Sequence, residues 1–436
     1  MNRNSYKLLC FSERYLYDKD QNKEIYNALL SYSNVIYSEK NGFKFIVTGF
    51  IVLGEQLIVV FPKNYTIPAD LSKVRYEAAL LFKTLMKYRS EKYHSQNEIE
   101  LLFGGDSSSS SSISAAVHIV YDYVRYGLLK RNIQKKATSY NGRIDWVATI
   151  NKTSSSCNHR RPVYLSPIVS TTVTDFNNIV TQIHQYVAQQ CCYLWGWLIG
   201  YDSIDNLSQI DMPVSTTEAL SILRQELLST YVQREIELIK ALINFLEATT
   251  GNAYQNKLSI IATPYFYYVW ESICNCVFET QYHKLAYMIP QPKWKSQIIN
   301  TSASQRPDTL FLYKNIFFIF DAKYYNYNNN LPGWHDIVKQ LFYKISLEKA
   351  LQNPKYSDTL REINELANVF ILPDNSEHYI RYIGQVDVSE LPELGCVYAF
   401  SLNTKRAMAV YVNEDKASIK NDMICAIERE KIKASV

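Results

Sequence analysis

The alternation of apolar and polar positions predicts a β-rich module at the N-terminal end of the chain. Residues 41–65 contain two apolar runs that meet at Gly54-Glu55, as two strands joined by a tight turn would. Residues 70–90 repeat apolar positions at helical spacing, with Asp70 or Ser72 placed to cap a helix. The run of Gly and Ser at 104–114 is typical of a flexible linker, so we end this module, residues 1–104, there.

Helical patterns dominate residues 105–251, which we predict to be a mainly helical middle region with a strand near 140–150. The clearest pattern covers 215–251. There Ser215 and Glu218 form a capping box, and Gly251 is the expected end of the helix. The pattern predicts one long helix.

From residue 252 the pattern changes to an α/β (α+β) arrangement with a central mixed sheet, which we assign to a C-terminal domain over 252–436. An apolar helix is followed by a hairpin and by a second helix. The predicted strands after that helix cover 368–373, 382–388, 396–402 and 407–412.

The hairpin has charged residues where its two apolar strands end, in the stretch RPDTLFLYKNIFFIFDAKYYN at 306–326. A two-residue turn at Lys314-Asn315 would set Asp308 directly opposite Asp321. Two like charges at that spacing are destabilising unless a cation lies between them. Carboxylate oxygens are hard ligands that suit Mg²⁺, for which Mn²⁺ is an expected substitute. Lys323 shares the face of Asp321 and is placed to stabilise charge on a phosphate.

Two flanking helices offer further polar groups for this site. The helix expected to begin at Thr263-Pro264 is apolar on nearly every side, and Glu271 is its exception. A buried carboxylate needs a partner, which is either a shared metal or a basic side chain elsewhere. On the downstream helix Gln340 and Tyr343 share one face, from which they could reach a phosphate or order a water, although core packing alone explains Tyr343.

Composition and charge narrow the possible classes of protein only slightly. The hydrophobic share of 47% is enough for a folded core in each region, and the net charge of +4 neither requires nor excludes a nucleic-acid partner. A local basic cluster at residues 130–136 is explained by solvated helix faces or by contacts to nucleic acid. The eight cysteines lack metal-binding spacing, and no apolar run suggests a signal peptide or a membrane span. We therefore expect a cytoplasmic protein that does not act at a membrane.

Two negative observations concern the candidate chemistry. No GxxxxGK[ST] phosphate loop occurs, so the chain cannot by itself be a P-loop motor. Asp145 in GRIDW offers another carboxylate on a predicted short strand, but no strand with an xDxK pattern follows it, and we interpret it as structural.

These residues resemble a known signature. Glu271, Pro307-Asp308, Asp321-Ala322-Lys323 and Gln340 are similar to the PD-(D/E)xK nuclease pattern. The stretches VVFPK at 59–63, GRIDWVATI at 142–150, and RPD, FDAKYY, DIVKQLFY and VFILP resemble LlaJI-type restriction endonucleases and McrC-like subunits of NTP-dependent restriction systems. One departure is the three-residue step from Gln340 to Tyr343, where RecB-like nucleases commonly show four.

The resemblance implies a Mg²⁺-dependent endonuclease that cuts double-stranded DNA in a bacterial restriction system for phage defence. It implies that Asp308, Asp321, the Ala322 carbonyl and Glu271 hold the metal. It further implies that Lys323 and Gln340 act in catalysis beside them.

The resemblance also implies a partner, a McrB-like AAA+ NTPase that would dock on residues 1–104. The alternative is a stand-alone homodimer that cuts both strands. Two other functions stay open on the residues alone: a non-catalytic nucleic-acid-binding or assembly subunit, and a RecB-like exonuclease for DNA processing.

Overall fold

The computed structural model describes nine segments that form two compact units. The described segments are 6–91, 112–158, 161–175, 177–201, 210–249, 258–292, 305–352, 363–414 and 419–434. The first unit combines the described parts of 1–106 and 258–436, and the second lies within 107–257. The N-terminal module and the C-terminal domain that the sequence predicts as separate regions therefore belong to one unit.

The first unit begins with a small sheet that combines N-terminal strands with a strand that follows the second unit in the sequence. Its strands are β1 (Lys7–Ser12), β4 (Thr48–Leu53), β5 (Gln56–Phe61) and β11 (Leu258–Thr263). They lie in the order β1-β5-β4-β11, with β1 parallel to β5 and the other pairs antiparallel. The predicted turn at Gly54-Glu55 is confirmed, because Leu53 pairs with Gln56 across it.

A glycine allows the last strand of this sheet to approach closely. Gly49 in β4 pairs with Ala262 in β11 at a backbone φ of +145°. A Cβ atom at Gly49 would lie 2.3 Å from the Ile261 carbonyl oxygen, so any side chain would force the strands apart.

The N-terminal part of the first unit contains four further elements. They are the paired strands β2 (Ile36–Glu39) and β3 (Gly42–Phe45) and the helices α1 (Lys23–Leu29) and α2 (Leu71–Glu91). The predicted helix at 70–90 is thus confirmed, and its cap is Asp70, whose carboxylate accepts from the Lys73 N–H at 3.2 Å.

The second sheet of this unit is the central mixed sheet that the sequence predicts. Its strands are β12 (Thr309–Tyr313), β13 (Ile316–Ala322), β14 (Glu365–Asp374), β15 (Ile380–Asp387) and β16 (Cys396–Asn403). The order is β12-β13-β14-β16-β15. The pairs β13–β14 and β14–β16 are parallel, and the two outer pairs are antiparallel. The α+β fold class with a mixed C-terminal sheet is therefore confirmed.

Helices cover both faces of the mixed sheet. The remaining helices of this unit are α8 (Phe266–Val277), α9 (Tyr282–Leu285), α10 (Trp334–Leu351), α11 (Thr404–Asn413) and α12 (Lys420–Ala434). On one face the Phe278 ring, at the end of α8, packs edge-on against Phe320 with centroids 4.7 Å apart. On the other face Leu347 of α10 packs with Phe317 and Ile319. Alternate residues of β13 thus enter two different cores.

The prediction of a fourth strand at 407–412 is wrong, because these residues belong to α11. The Asn403 side chain caps this helix by accepting from the Arg406 N–H at 2.8 Å. A six-residue apolar run is too short for its periodicity to distinguish a buried strand from a buried helix. Here the Asn403 cap favours the helix.

The second unit contains both helices and strands. Its helices are α3 (Ser112–Tyr126), α4 (Trp146–Lys152), α5 (Ile179–Ile199), α6 (Thr216–Ser229) and α7 (Gln233–Thr249). Its strands are β6 (Arg131–Thr138), β7 (Arg143–Ile144), β8 (Ser155–Asn158), β9 (Arg161–Tyr164) and β10 (Ile168–Asp175). The basic cluster at 130–136 falls largely on β6, an exposed strand, and not on a helix face. Asp145 caps α4, accepting from the Ala148 N–H at 3.0 Å.

The single long helix predicted over 215–251 is wrong, because residues 230–232 interrupt it. Thr230 is extended, with φ −99° and ψ 130°. Ser, Thr, Tyr and Val in succession have weak helix propensity, so the backbone can turn there at little cost. Ser215 caps the helix as predicted, because its hydroxyl accepts from the Glu218 N–H, whereas Gly251 lies outside the described residues. The predicted linker at 104–114 also lies outside them up to residue 111.

Within the segments that the structure describes, no helix is both long enough and apolar enough to cross a membrane.

A buried histidine connects the stability of the second unit to pH. His184 lies in α5, and its Nδ1 accepts from the Leu129 N–H at 3.0 Å. Burial lowers the pKa of this imidazole from 6.5 to about 4, and the Asp122 carboxylate opposes that shift. The neutral form is therefore the one that fits the fold.

We predict that His184 makes the free energy of unfolding fall as the pH drops from 6.5 towards 4. In that window the unfolded chain binds a proton at this side chain and the folded chain does not, which costs up to about 3 kcal/mol at the acid end. Urea unfolding at several pH values measures this slope. His184→Gln, which keeps an acceptor, is expected to have a shallower slope than the wild type, whereas the exposed control His335→Gln is expected to match the wild type. Equal slopes for all three proteins would contradict the prediction.

Candidate active site

The geometry of the candidate site begins with the hairpin turn. Lys314 and Asn315 both have positive φ values, +48° and +63°, as a two-residue turn of the type that suits twisted strands requires. The strands then pair from Tyr313 with Ile316 to Thr309 with Phe320. The predicted turn and register are confirmed. One step further along, Asp308 and Asp321 flank the last pair on the same face of the sheet.

Asp321 is the most deeply buried charged group of the site, with an exposed fraction of 1%. Its Oδ2 atom lies 2.6 Å from the Lys323 Nζ, and its Oδ1 atom lies 3.1 Å from the Lys339 Nζ. Two ammonium groups thus compensate one buried carboxylate, as the cost of burying an unpaired charge requires.

Asp308 lies in an environment that disfavours its charged form. Its Oδ2 atom accepts from the Ala322 N–H at 2.8 Å, which ties the entry of β12 to the end of β13. Burial raises the pKa of Asp308 to about 8, and the charges of Asp321 and Glu271 add to the shift. The folded protein therefore disfavours the ionised form of this carboxyl.

Lys323 is held between two carboxylates. Its Nζ lies 2.6 Å from Asp321 and 2.7 Å from Oδ1 of Asp336, and the Tyr325 hydroxyl donates to the other Asp336 oxygen at 3.2 Å. Burial alone would lower the pKa of Lys323, but the two carboxylates raise it above its ordinary value. Lys323 is therefore a fixed positive charge and not a proton acceptor at neutral pH.

Lys339 is a site residue that the sequence interpretation missed. It lies on α10, three residues after Asp336, and contacts Oδ1 of Asp321, whereas Lys323 contacts Oδ2. Its position directly before Gln340 and on the same turn as Asp336 is the signal that could have found it.

Gln340 supports the strand behind the site. Its Nε2 donates to the Ile319 carbonyl at 2.8 Å, and its own main-chain carbonyl accepts from the Asn368 side chain at 3.0 Å. The described residues that line the pocket do not include Gln340. The catalytic role of Gln340 stays a prediction. Its contacts indicate that it holds β13 in position. Tyr343 packs in the core with Leu310 and Leu347.

The remaining predicted residues meet in one open pocket of about 320 Å³. Glu271 enters it from α8. This helix starts at Phe266 and not at Pro264 as predicted, because Thr263 ends β11 and its hydroxyl accepts from the Tyr265 N–H. The lining residues are Lys63, Tyr267, Glu271, Asp308, Asp321, Ala322, Lys323, Tyr324, Tyr325 and Lys339.

The chemistry of this pocket fits a hard divalent cation. Within the described segments, no three His, Cys, Asp or Glu side chains are arranged around a common metal position. The acidic side chains that line the pocket are carboxylates, which are the ligands that such cations take, and burial and neighbouring carboxylates raise the pKa of Asp308. Asp308, Asp321 and Glu271 are the residues whose mutual repulsion such a cation would relieve.

One residue of the pocket lining, Lys63, comes from the N-terminal part of the chain and belongs to a hydrogen-bond network around Tyr324. The Tyr324 hydroxyl donates to Glu13 at 2.7 Å and accepts from the Lys63 main-chain N–H at 2.7 Å. The Thr48 hydroxyl donates to the same Glu13 oxygen at 3.0 Å. This buried network links β1, β4 and β5 to the residue directly after Lys323. The sequence did not predict this network, because Glu13 and Tyr324 are about 300 positions apart. The only indication was that VVFPK and FDAKYY, which contain Lys63 and Tyr324, both resemble the same family.

Comparison with known proteins assigns the chain to a class. A family model described as LlaJI restriction endonuclease matches residues 47–412, and the chain belongs to that family. The chain is 25% identical over 432 residues to the Type II restriction enzyme BsuMI component YdjA of Bacillus subtilis (strain 168), a match that covers 94% of this chain and 90% of that protein.

A solved structure is also similar at a low level. It is a chain of the refined half-complex from the tetradecameric assembly of Thermococcus gammatolerans McrB AAA+ hexamers with bound McrC. The identity is 12% and the TM-score is 0.41, over 94% of this chain and 99% of that chain.

We predict that Tyr324→Phe destabilises the first unit by about 1–3 kcal/mol, because it leaves the buried Glu13 carboxylate with one donor fewer. Urea unfolding measures the loss. The matched control is Tyr325→Phe, which removes a hydroxyl that contacts the partly exposed Asp336 and is expected to cost less. Equal losses in the two variants would show that the buried network contributes no more to the free energy of unfolding than the contact of Tyr325 does.

Proposed function

We propose that this chain is a DNA endonuclease subunit of a bacterial restriction system, with a PD-(D/E)xK active site that depends on Mg²⁺. The observation that carries the proposal is the hairpin register, which sets Asp308 against Asp321 with Lys323 on the same face, inside a pocket. Membership of the LlaJI restriction endonuclease family supports the same function.

In this proposal the carboxylates of Asp308, Asp321 and Glu271, with the Ala322 carbonyl, hold Mg²⁺ or Mn²⁺. When bound, the ion polarises the scissile phosphate and lowers the pKa of a water molecule. Asp308 would hold the ion in its ionised form, because a nearby positive charge would offset the burial that raises its pKa.

Lys323 supplies electrostatic stabilisation. Its ammonium is oriented by Asp321 and Asp336 and stays charged, so it can donate to a phosphate oxygen as negative charge builds up there. Lys339 balances the remaining charge of Asp321. Without these two lysines, the carboxylates of the pocket would repel a phosphodiester.

We predict that Asp308→Asn and Lys323→Met each lower Mg²⁺-dependent cleavage of closed circular DNA by at least about 100-fold. Conversion of supercoiled plasmid, followed on gels with and without EDTA, measures the rate. Asp308→Asn is not expected to lower the free energy of unfolding, because it removes a carboxyl that burial already disfavours.

Matched controls are Asp145→Asn, which changes the helix-capping acid of α4, and Lys349→Met, which changes an exposed lysine of α10. Both are expected to cut at the wild-type rate. Wild-type rates in the two site variants would refute the proposed active site. A wild type that does not cut DNA, alone or with an NTPase, would favour a non-catalytic subunit. Cleavage restricted to linear DNA would favour an exonuclease.

We further propose that an AAA+ NTPase completes the system. The relative from Bacillus subtilis is described as a component of a restriction enzyme, which supports a multi-subunit assembly, and this chain contains no phosphate loop of its own. Double-stranded DNA is the proposed substrate of the assembly.

We predict that the chain co-purifies with an AAA+ NTPase encoded by a neighbouring gene and that nucleotide hydrolysis stimulates its cleavage of plasmid DNA. Affinity purification and mass measurement of the complex test this directly. The Asp308→Asn variant is expected to bind the NTPase as the wild type does. A stand-alone homodimer with full activity in the absence of nucleotide would contradict the prediction.

A further inference from the structure

Three lysines line the pocket, and one of them differs from the others in its charge balance. Lys323 and Lys339 each form ion pairs with carboxylates of the site. The ion pairs found within 4 Å among the described residues do not include Lys63, which comes from the N-terminal part of the chain.

The position of Lys63 is determined by its backbone and by one aromatic residue. It follows β5, and its main-chain N–H donates to the Tyr324 hydroxyl at 2.7 Å. Its Nζ donates to the Tyr324 carbonyl at 3.3 Å and lies 4.4 Å from the centroid of the Tyr324 ring. Both contacts orient the ammonium, but neither neutralises its charge.

The ammonium keeps capacity for a further ligand. A lysine has three donors, and the Tyr324 carbonyl uses one of them. Burial lowers the pKa of Lys63, while the Glu13 carboxylate opposes this shift. The Glu13 Oε2 atom already accepts from Tyr324 and Thr48, so Glu13 does not serve Lys63 as a dedicated partner. A partly buried cation without a bound carboxylate favours an incoming anion.

We propose that Lys63 binds a phosphate of the DNA backbone at the edge of the pocket, so that the N-terminal part of the chain contributes directly to substrate binding. This inference rests on the proposed nuclease function. Phosphate contacts fix the register of a protein on DNA, and a single lysine contact adds affinity without sequence preference. Lys63 would thus place the scissile phosphate over Asp308 and Asp321 without taking part in bond cleavage.

The test compares Lys63→Met and Lys63→Arg with the wild type in cleavage of a short DNA duplex. We expect Lys63→Met to raise KM by about 5- to 30-fold with little change in kcat, because one charge-assisted contact is lost. The slope of log affinity against log salt is expected to decrease by about one. Lys63→Arg is expected to restore most of the affinity. Lys349→Met, on an exposed surface, serves as the control.

The outcomes separate this inference from the proposed function. An active wild type whose KM and salt slope are unchanged in Lys63→Met overturns the role of Lys63 and leaves the nuclease assignment intact. Equal losses of activity and of unfolding free energy in the Met and Arg variants indicate a structural role and also overturn it. A wild type that neither binds nor cuts DNA, with or without the NTPase, refutes the proposed function itself.

Discussion

The two-residue turn at Lys314-Asn315 is the constraint on which the candidate site depends. Because strands alternate their side chains, a shift of the hairpin by one residue would place Asp321 in the core that contains Phe318 and Phe320. The positive φ values of the turn and the two apolar faces of β13 exclude that shift together. The position of Asp308, the reach of Lys323 and the contact from Lys339 all follow from this register.

Burial and ion pairing together determine the electrostatics of the candidate site. Lys323 and Lys339 compensate the charge of Asp321, and burial raises the pKa of Asp308. Both effects limit like-charge repulsion between the two carboxylates that the hairpin brings together. Under the proposed function, a cation bound there would compete with protons, because ligand carboxylates must be ionised.

Local patterns predicted the parts of the structure that local interactions determine. The hairpin register, the helix at 71–91 and the mixed sheet follow from alternation, capping and turn length, and each is confirmed. The same reasoning failed in two ways, because it overlooked local caps and weak propensities and because it could not detect contacts between residues far apart along the chain. The helix at 404–413 and the break at 230–232 depend on caps and weak propensities that a run of apolar letters does not reveal. Lys339 and the contacts of Tyr324 became visible only once α10 and β5 had been placed beside the hairpin.

The pairing of β11 with β4 has a consequence for the order in which the protein is made. The N-terminal sheet is complete only when residues 258–263 pair with residues 48–53, about 200 positions earlier. A ribosome adds residues one by one, and domains usually fold as they emerge. The edge of β4 that pairs with β11 therefore stays unpaired until the whole second unit has been synthesised. The hydrogen bond from Tyr324 to Glu13 forms later still. The candidate pocket, whose lining extends to Lys339, is thus among the last features to form. A nuclease activity of the kind proposed would arise only after most of the chain has been translated.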